Sequence, residues 1–229
     1  MYVGMPPGGS IDIYARLIKR HLSRFLPGAP TIIVMNKPGA GSLLSLMAVA
    51  SSPVADSPVL GAFSSSLIPN AIARPHRFRI DFRSFIFIGS IGEDYRVCYV
   101  RAATGIRSLK QLAQHRAIFA ATAPGTSGNL DLAILRDLFK IPFREVQGYA
   151  GSAAKRLAFE SGEVDGDCGG VNSIPQQWLG QDRINLLVRF LPNAMPPLDQ
   201  SIPYGGDLVG DPADRELYDF LTIPDESTV

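Results

Sequence analysis

The chain alternates short apolar runs with amphipathic stretches, and the two patterns are easy to separate. Ile11, Tyr14, Ala15, Ile18, Leu22 and Phe25 recur at helical spacing, while Arg16, Lys19, Arg20 and Arg24 fall mostly on the opposite side. This spacing predicts a helix over residues 10–25 with one buried face. Continuous apolar runs predict strands at residues 31–35, 58–63, 85–91, 95–100, 117–121, 143–146, 164–168 and 184–190. Between them, helices are expected at residues 39–50, 108–114 and 152–160. Leu130, Ile134 and Leu138 mark another. Ser108 suits the N-cap of the second of these helices and Gly162 the C-cap of the third. Strand–helix alternation at this spacing argues for an α/β fold with mainly parallel sheets flanked by helices. A length of 229 residues permits two small lobes. The natural division lies near residues 95–100, where one strand–helix series ends and another begins.

Composition narrows the choice of partner. The 22 basic and 21 acidic residues leave a formal net charge of +1, which argues against nucleic acid. No apolar run approaches the ~18 residues needed to span a bilayer. Hydrophobic residues make up 46% of the chain, enough for a packed core.

Three turns entering helices share one composition: Pro7-Gly8-Gly9-Ser10, Gly39-Ala40-Gly41-Ser42 and Gly125-Thr126-Ser127-Gly128. Small residues bare the backbone there, and a hydroxyl sits at or next to the helix start. A helix N-terminus carries unpaired N–H groups and about half a positive charge. It therefore suits a carboxylate, phosphate or sulfate. One such turn is ordinary capping chemistry. Three of them, divided between two lobes, point to a small-anion site. Tyr149-Ala150-Gly151-Ser152 is a fourth turn, whose tyrosine offers a cleft an aromatic edge and a hydroxyl.

The usual catalytic patterns fail. Gly125-Thr126-Ser127-Gly128-Asn129 breaks G-x-S-x-G at its last position. His21, His76 and His115 lie in or beside basic segments, away from the glycine turns, and read as surface or cap histidines. No lysine follows a glycine-rich turn in the manner of a nucleoside triphosphate site. Glu163, Asp165 and Asp167 alternate, which in a strand would place all three on one face. They read as a solvated strand edge. The alternative is acid–base work or a hard cation, in a metal-assisted hydrolase or isomerase using Asp165 and Asp167. Cys98 and Cys168 stand outside any CxxC pair. They allow one disulfide, suited to an oxidising compartment, with two buried free thiols equally open. The chain begins almost directly on a turn, without a signal peptide, and ends without a closing element. Trimming at both ends is the expectation.

Pro6-Pro7-Gly8-Gly9-Ser10-Ile11-Asp12 followed by Ala15-Arg16 resembles the opening motif of the tripartite tricarboxylate transporter receptors, the Bug family of periplasmic solute-binding proteins. Asn36-Lys37-Pro38-Gly39-Ala40-Gly41 is similar to that family's second motif, N-x-P-G-A-G. Gly125-Thr126-Ser127-Gly128, Gln147-Gly148-Tyr149-Ala150-Gly151-Ser152 and Gly162-Glu163-Val164-Asp165-Gly166 look like its later motifs, so the resemblance runs from Met5 to about Asp207.

The resemblance implies a two-lobed type II periplasmic-binding-protein fold, with a first lobe expected at residues 1–96, a second at residues 97–190 and a return segment toward the first lobe at 191–229, incomplete at its end. It implies a small carboxylate held between lobes by loop amides, for delivery to membrane transporter subunits, in the periplasm. By position it places Pro7, Gly8, Gly9, Ser10 and Asp12 in the first-lobe contact loop, with Ser64 and Ser65 bordering the cleft. Thr126, Ser127, Gly128 and Asn129 would present the second-lobe helix, and Tyr149, Gly151 and Asp167 would complete the wall. The expectation is a monomeric receptor without catalytic residues, cofactor or metal. A ligand-sensing domain on the same fold is the other reading.

Overall fold

The computed structural model describes residues 1–52, 58–78, 80–90, 95–194 and 198–226. Its strands form two sheets. The first holds β1 (Tyr2–Val3) between two parallel neighbours. From β1 the chain turns through Pro6–Gly9 into α1 (Ser10–Leu22), whose last turn tightens to a 3-10 helix at Ser23–Phe25. This accounts for the whole helix expected over residues 10–25. β2 (Met35–Asn36) follows, then α2 (Leu43–Ala50), β3 (Gly61–Ala62), α3 (Leu67–Ala73) and α4 (Pro75–Phe78).

β2 and β3 are much shorter than the apolar runs that predict them. Among the described residues both pair only with β1, through Tyr2 and Val3, so two residues is all the ladder the central strand offers. The strand expected at 85–91 does not form over residues 85–90, and Ile91 lies outside the described residues. Ile86, Phe87 and Ile88 are 91%, 60% and 78% exposed. Their β-propensity finds no strand partner among the described residues, and propensity without a ladder does not make a strand.

The second sheet is built from β4 (Arg96–Arg101), β5 (Ile118–Ala120), β6 (Arg144–Val146), β7 (Gly166–Gly170) and β8 (Ile184–Arg189), in the order β6-β5-β7-β4-β8. Its helices are α5 (Leu109–Leu112), α6 (Ser127–Ala133), α7 (Ser152–Ser161), α8 (Gln176–Gly180) and α9 (Pro212–Glu226). α6 continues into a π-helical turn at Ile134–Leu138. β5 runs parallel to β6 and β7, whereas β4 is antiparallel to β7 and β8. The fold is thus α/β with mainly parallel pairing and one reversed strand. Ser108 caps α5 by accepting the Gln111 N–H, and Gly162 ends α7 in the left-handed conformation.

The alternation of β4 divides the core. Cys98 and Val100 face a layer that includes Leu112 of α5, Leu132 of α6 and Tyr218 of α9. Val97 and Tyr99 face the other layer, with Ala158 and Phe159 of α7 and Trp178 of α8. Trp178 is fully buried, with its ring stacked 4.9 Å from that of Phe159. Cys98 and Cys168 stand directly opposite each other on β4 and β7 and form a disulfide, settling the two cysteines as a pair. α9 packs its Tyr218 into the second sheet's core and also lies against α3, so the return segment touches both halves of the molecule.

Candidate functional site

A cavity of about 2010 Å³ lies between the two halves. It exceeds a typical small-molecule pocket of roughly 300–1,000 Å³. Tyr14, Ile18, Leu46, Val49 and Phe85 give part of its wall an apolar lining. The polar part is built by helix starts.

α1, α6 and α7 all begin on the cleft, after Gly9, Thr126 and Gly151 respectively. None of these N-cap residues makes a side-chain capping bond. Thr126 has a hydroxyl able to cap, yet its single proton is shared between the Ala123 carbonyl (2.9 Å) and Asn129 Oδ1 (3.0 Å). The first-turn N–H groups of three helices therefore face one space without a side-chain acceptor of their own.

The two halves touch around this space. Ser64 and Ser127 share a hydroxyl–hydroxyl bond of 3.1 Å. Ser66 Oγ and Asn70 Nδ2 each donate to the Gly125 carbonyl at 3.0 Å. Gly41 lies beside the same carbonyl, and a Cβ there would make ordinary contact with it at 3.5 Å. On the other side, a Cβ on Gly151 would meet the Pro6 ring at 3.7 Å. The glycine turns identified in the sequence thus meet one another across the cleft.

Pro7, Gly9, Ser10, Ser64, Ser65, Thr126, Ser127, Gly128, Tyr149 and Gly151 all lie on the cavity wall. Gly8, Asp12, Asn129 and Asp167 do not, and each has another task. The Gly8 N–H is taken by Asp12 Oδ2 at 2.9 Å. Asp12 is buried and also accepts from Arg16 Nε (2.9 Å) and Asn36 Nδ2 (2.8 Å). Asn36 Nδ2 donates in addition to the Met5 carbonyl (2.8 Å). Asp12 therefore fastens the first glycine turn to α1 and to the start of the second motif. Chiefly the Arg16 guanidinium bonded to it holds its pKa at about 2.

Asn129 Oδ1 accepts from the Thr122 N–H (3.1 Å) and Nδ2 donates to Glu145 (3.2 Å), so its side chain braces the loop behind α6. Its own N–H bonds the Thr126 carbonyl. The backbone donors left to the cleft are thus fewer than the composition of the turns implies: Ser10 on α1, Ser127 and Gly128 on α6, and the first turn of α7.

Glu163, Asp165 and Asp167 do not share a strand face. Glu163 directly follows the C-cap of α7, and only Asp167 lies within β7. Each carboxylate has its own partner. Glu163 accepts from the Tyr149 hydroxyl at 2.5 Å, which pushes the Tyr149 pKa up to about 12. Asp165 accepts from Arg101 Nη2 (2.9 Å) and the Ile118 N–H (3.0 Å). Asp167, 5% exposed, pairs with Lys155 and accepts from the Tyr99 hydroxyl (3.2 Å). It is a buried ion-pair member and not part of a solvated edge. Among the described residues no group of acidic, histidine or cysteine side chains is arranged to hold a metal. His21, His76 and His115 are exposed.

Two buried cations absent from the sequence-based list line the cavity: Arg96 and Lys155, 4% and 6% exposed. Arg96 pairs with Asp131 of α6, its Nε donating at 3.1 Å. The only sequence signal for Lys155 is its position, a cation in the first turn or so of a helix, where the dipole disfavours it.

No family model matches this chain, and no curated protein matches it. Solved structures do. A periplasmic transporter superposes with a TM-score of 0.75 and 18% identity, over 98% of this chain and 80% of the other. Rpa4515 of R. palustris, solved with adipate, gives 0.72 and 20% identity over 90% of this chain and 70% of its own. The periplasmic binding protein BugD gives 0.65 and 15% identity over 99% and 80%. At these identities the likeness is one of fold, and the chain carries the two-lobed fold of the Bug and TctC-type periplasmic solute-binding proteins.

Proposed function

We propose that the chain is an extracytoplasmic receptor that captures a small carboxylate between its lobes and presents it to membrane subunits of a tripartite tricarboxylate-type transporter. The observation that carries this reading is the meeting of three helix N-termini, each without a side-chain cap, on one interlobe cavity. A carboxylate placed there accepts N–H groups from both lobes at once, and contacts to both lobes favour the closed arrangement. Charge-assisted bonds of this kind contribute about 1.5–3 kcal/mol each. A few of them reach micromolar affinity, about −8 kcal/mol. The fold supports the reading too: Rpa4515 was solved with adipate and MatC with malate. The Cys98–Cys168 disulfide fits an oxidising, periplasmic location. The work is capture, since Asp165 and Asp167, the candidate acid–base pair, are each committed to a separate basic partner.

A thermal-shift screen against mono-, di- and tricarboxylates, aromatic acids, phosphate and sulfate tests it. Saturation at 100 times Kd stabilises the native state by about 2.7 kcal/mol. A selective rise in Tm with one carboxylate class supports the receptor reading. The absence of any shift in a cooperatively folded sample overturns it.

A further inference from the structure

Lys155 is an expensive residue where it stands. It sits in the second turn of α7, near the positive end of that helix dipole, and its side chain is 7% exposed. The start of α6 is close to the ammonium: a Cβ on Gly128 would lie 3.4 Å from Lys155 Nζ. The cation therefore stands at the positive end of α6, on a residue that itself lies near the start of α7. Asp167 balances the ammonium, and the helix ends add a positive excess at this corner of the cleft.

The geometry gives that excess a direction. Lys155 lies on the cavity wall and Asp167 does not, so the cation stands between its counterion and the cleft. Arg96 and Asp131 repeat the arrangement, with Arg96 on the wall and Asp131 behind it. An ammonium has three donors. Lys155 uses one on Asp167 and one on the Cys168 carbonyl (3.1 Å), and no third acceptor is present among the described residues. A structural ion pair needs none of these features, since it is neutral overall and can be buried anywhere.

We propose that the Lys155 ammonium is the specificity-determining cation of the cleft, receiving the second negative group of a doubly charged solute while Asp167 holds it in place. This rests on the solute-receptor reading above. Backbone N–H groups of the helix starts seat one carboxylate. Lys155 then separates a diacid from the same molecule with one end neutral.

The test is calorimetric titration of the whole chain with succinate, malate and adipate, each beside its monoamide. Wild-type protein is expected to bind at least one diacid more than tenfold tighter than the monoamide of equal size. Lys155→Gln alone leaves Asp167 buried without its cation and can fail to fold. The paired variant Lys155→Gln with Asp167→Asn removes both charges and keeps the hydrogen bond. It should fold, with the preference reduced to within about twofold, while Lys155→Arg retains most of it. A paired variant that keeps the full preference overturns the proposal. So does wild-type protein that binds monoamides as well as diacids, which leaves the receptor reading standing. Wild-type protein that binds none of the six probes overturns both.

Discussion

The Ser64 hydroxyl lies 3.1 Å from that of Ser127, and this bond joins the segment after β3 to the first residue of α6. It belongs to a short seam in which Ser66 and Asn70 also reach the Gly125 carbonyl. Ser66, Asn70 and Gly125 stand behind the cavity wall. The Ser66–Asn70–Gly125 part of the seam can therefore bias lobe closure without touching a ligand. Asn70→Ala removes a bond worth about 1 kcal/mol to the closed arrangement. The expected result is a roughly fivefold loss of carboxylate affinity by calorimetry, with a larger radius of gyration by small-angle scattering. Ser127→Ala should cost less, about two- to threefold, because the backbone N–H groups of α6 remain. A larger loss for Ser127→Ala than for Asn70→Ala would show that the hydroxyl itself holds the ligand.

Gly128 is a cleft glycine packed against backbone. A Cβ there would stand 2.8 Å from the Cys168 carbonyl oxygen, which is backbone and cannot step aside. Gly128→Ala should force α6 away from β7 and destabilise the fold by about 1–3 kcal/mol. For a chain of this length that is about 2–4 °C in Tm for each kcal/mol. Gly169→Ala is the control, since its Cβ would meet Ser173 Oγ at an ordinary 3.6 Å. Equal melting temperatures for the two variants would contradict the close approach.

The glycine turns were legible in the sequence because their composition is their chemistry: small residues and a hydroxyl at a helix start. Their neighbours were not, because burial decides the role of a polar side chain and burial is a tertiary fact. Asp12 reads as a contact residue from its place in the motif, but it folds under the loop and bonds Gly8, Arg16 and Asn36. Glu163, Asp165 and Asp167 read as one face only if their segment is all strand. β7 starts at Gly166, so the period-2 argument fails for the first two. The 85–90 segment shows the same limit from the other side, since its apolar run is strand-like and no strand among the described residues pairs with it. Helices were easier, because an i to i+4 pattern is completed within the segment.

The Cys98–Cys168 disulfide joins strands 70 residues apart in sequence. In the chain-entropy account a loop of this length stabilises the native state by about 4 kcal/mol. Both cysteines are fully buried, so reductant reaches the bond only on unfolding. Thiol counting on denatured, unreduced protein should find no free thiol. Denaturation in reductant should lower the denaturant midpoint markedly, with rapid unfolding once the bond is cut. Two titratable thiols in unreduced protein would remove the disulfide from the fold and weaken the periplasmic assignment.

The Asp12 carboxylate ties stability to pH at the acid end. Its pKa in the folded chain is about 2, against 3.8 for the free group, mainly because Arg16 bonds the charged form. A carboxylate with a lowered folded pKa stabilises the native state above its unfolded pKa and loses that contribution as pH falls through the folded one. The window is therefore about pH 4 down to pH 2, and the contribution above it is at most about 2 kcal/mol. Asp12→Asn keeps the shape and removes the titration. Its stability deficit relative to wild type, measured by urea denaturation, should be present at pH 6 and shrink as the pH falls towards 2. Because Asp12 also holds Gly8 and, through Asn36, the Met5 carbonyl, the same variant should weaken carboxylate binding at pH 7 although its side chain lies off the cavity wall. A deficit that stays constant from pH 6 to pH 2 would mean that the Arg16–Asp12 bond is not what sets this carboxylate's charge.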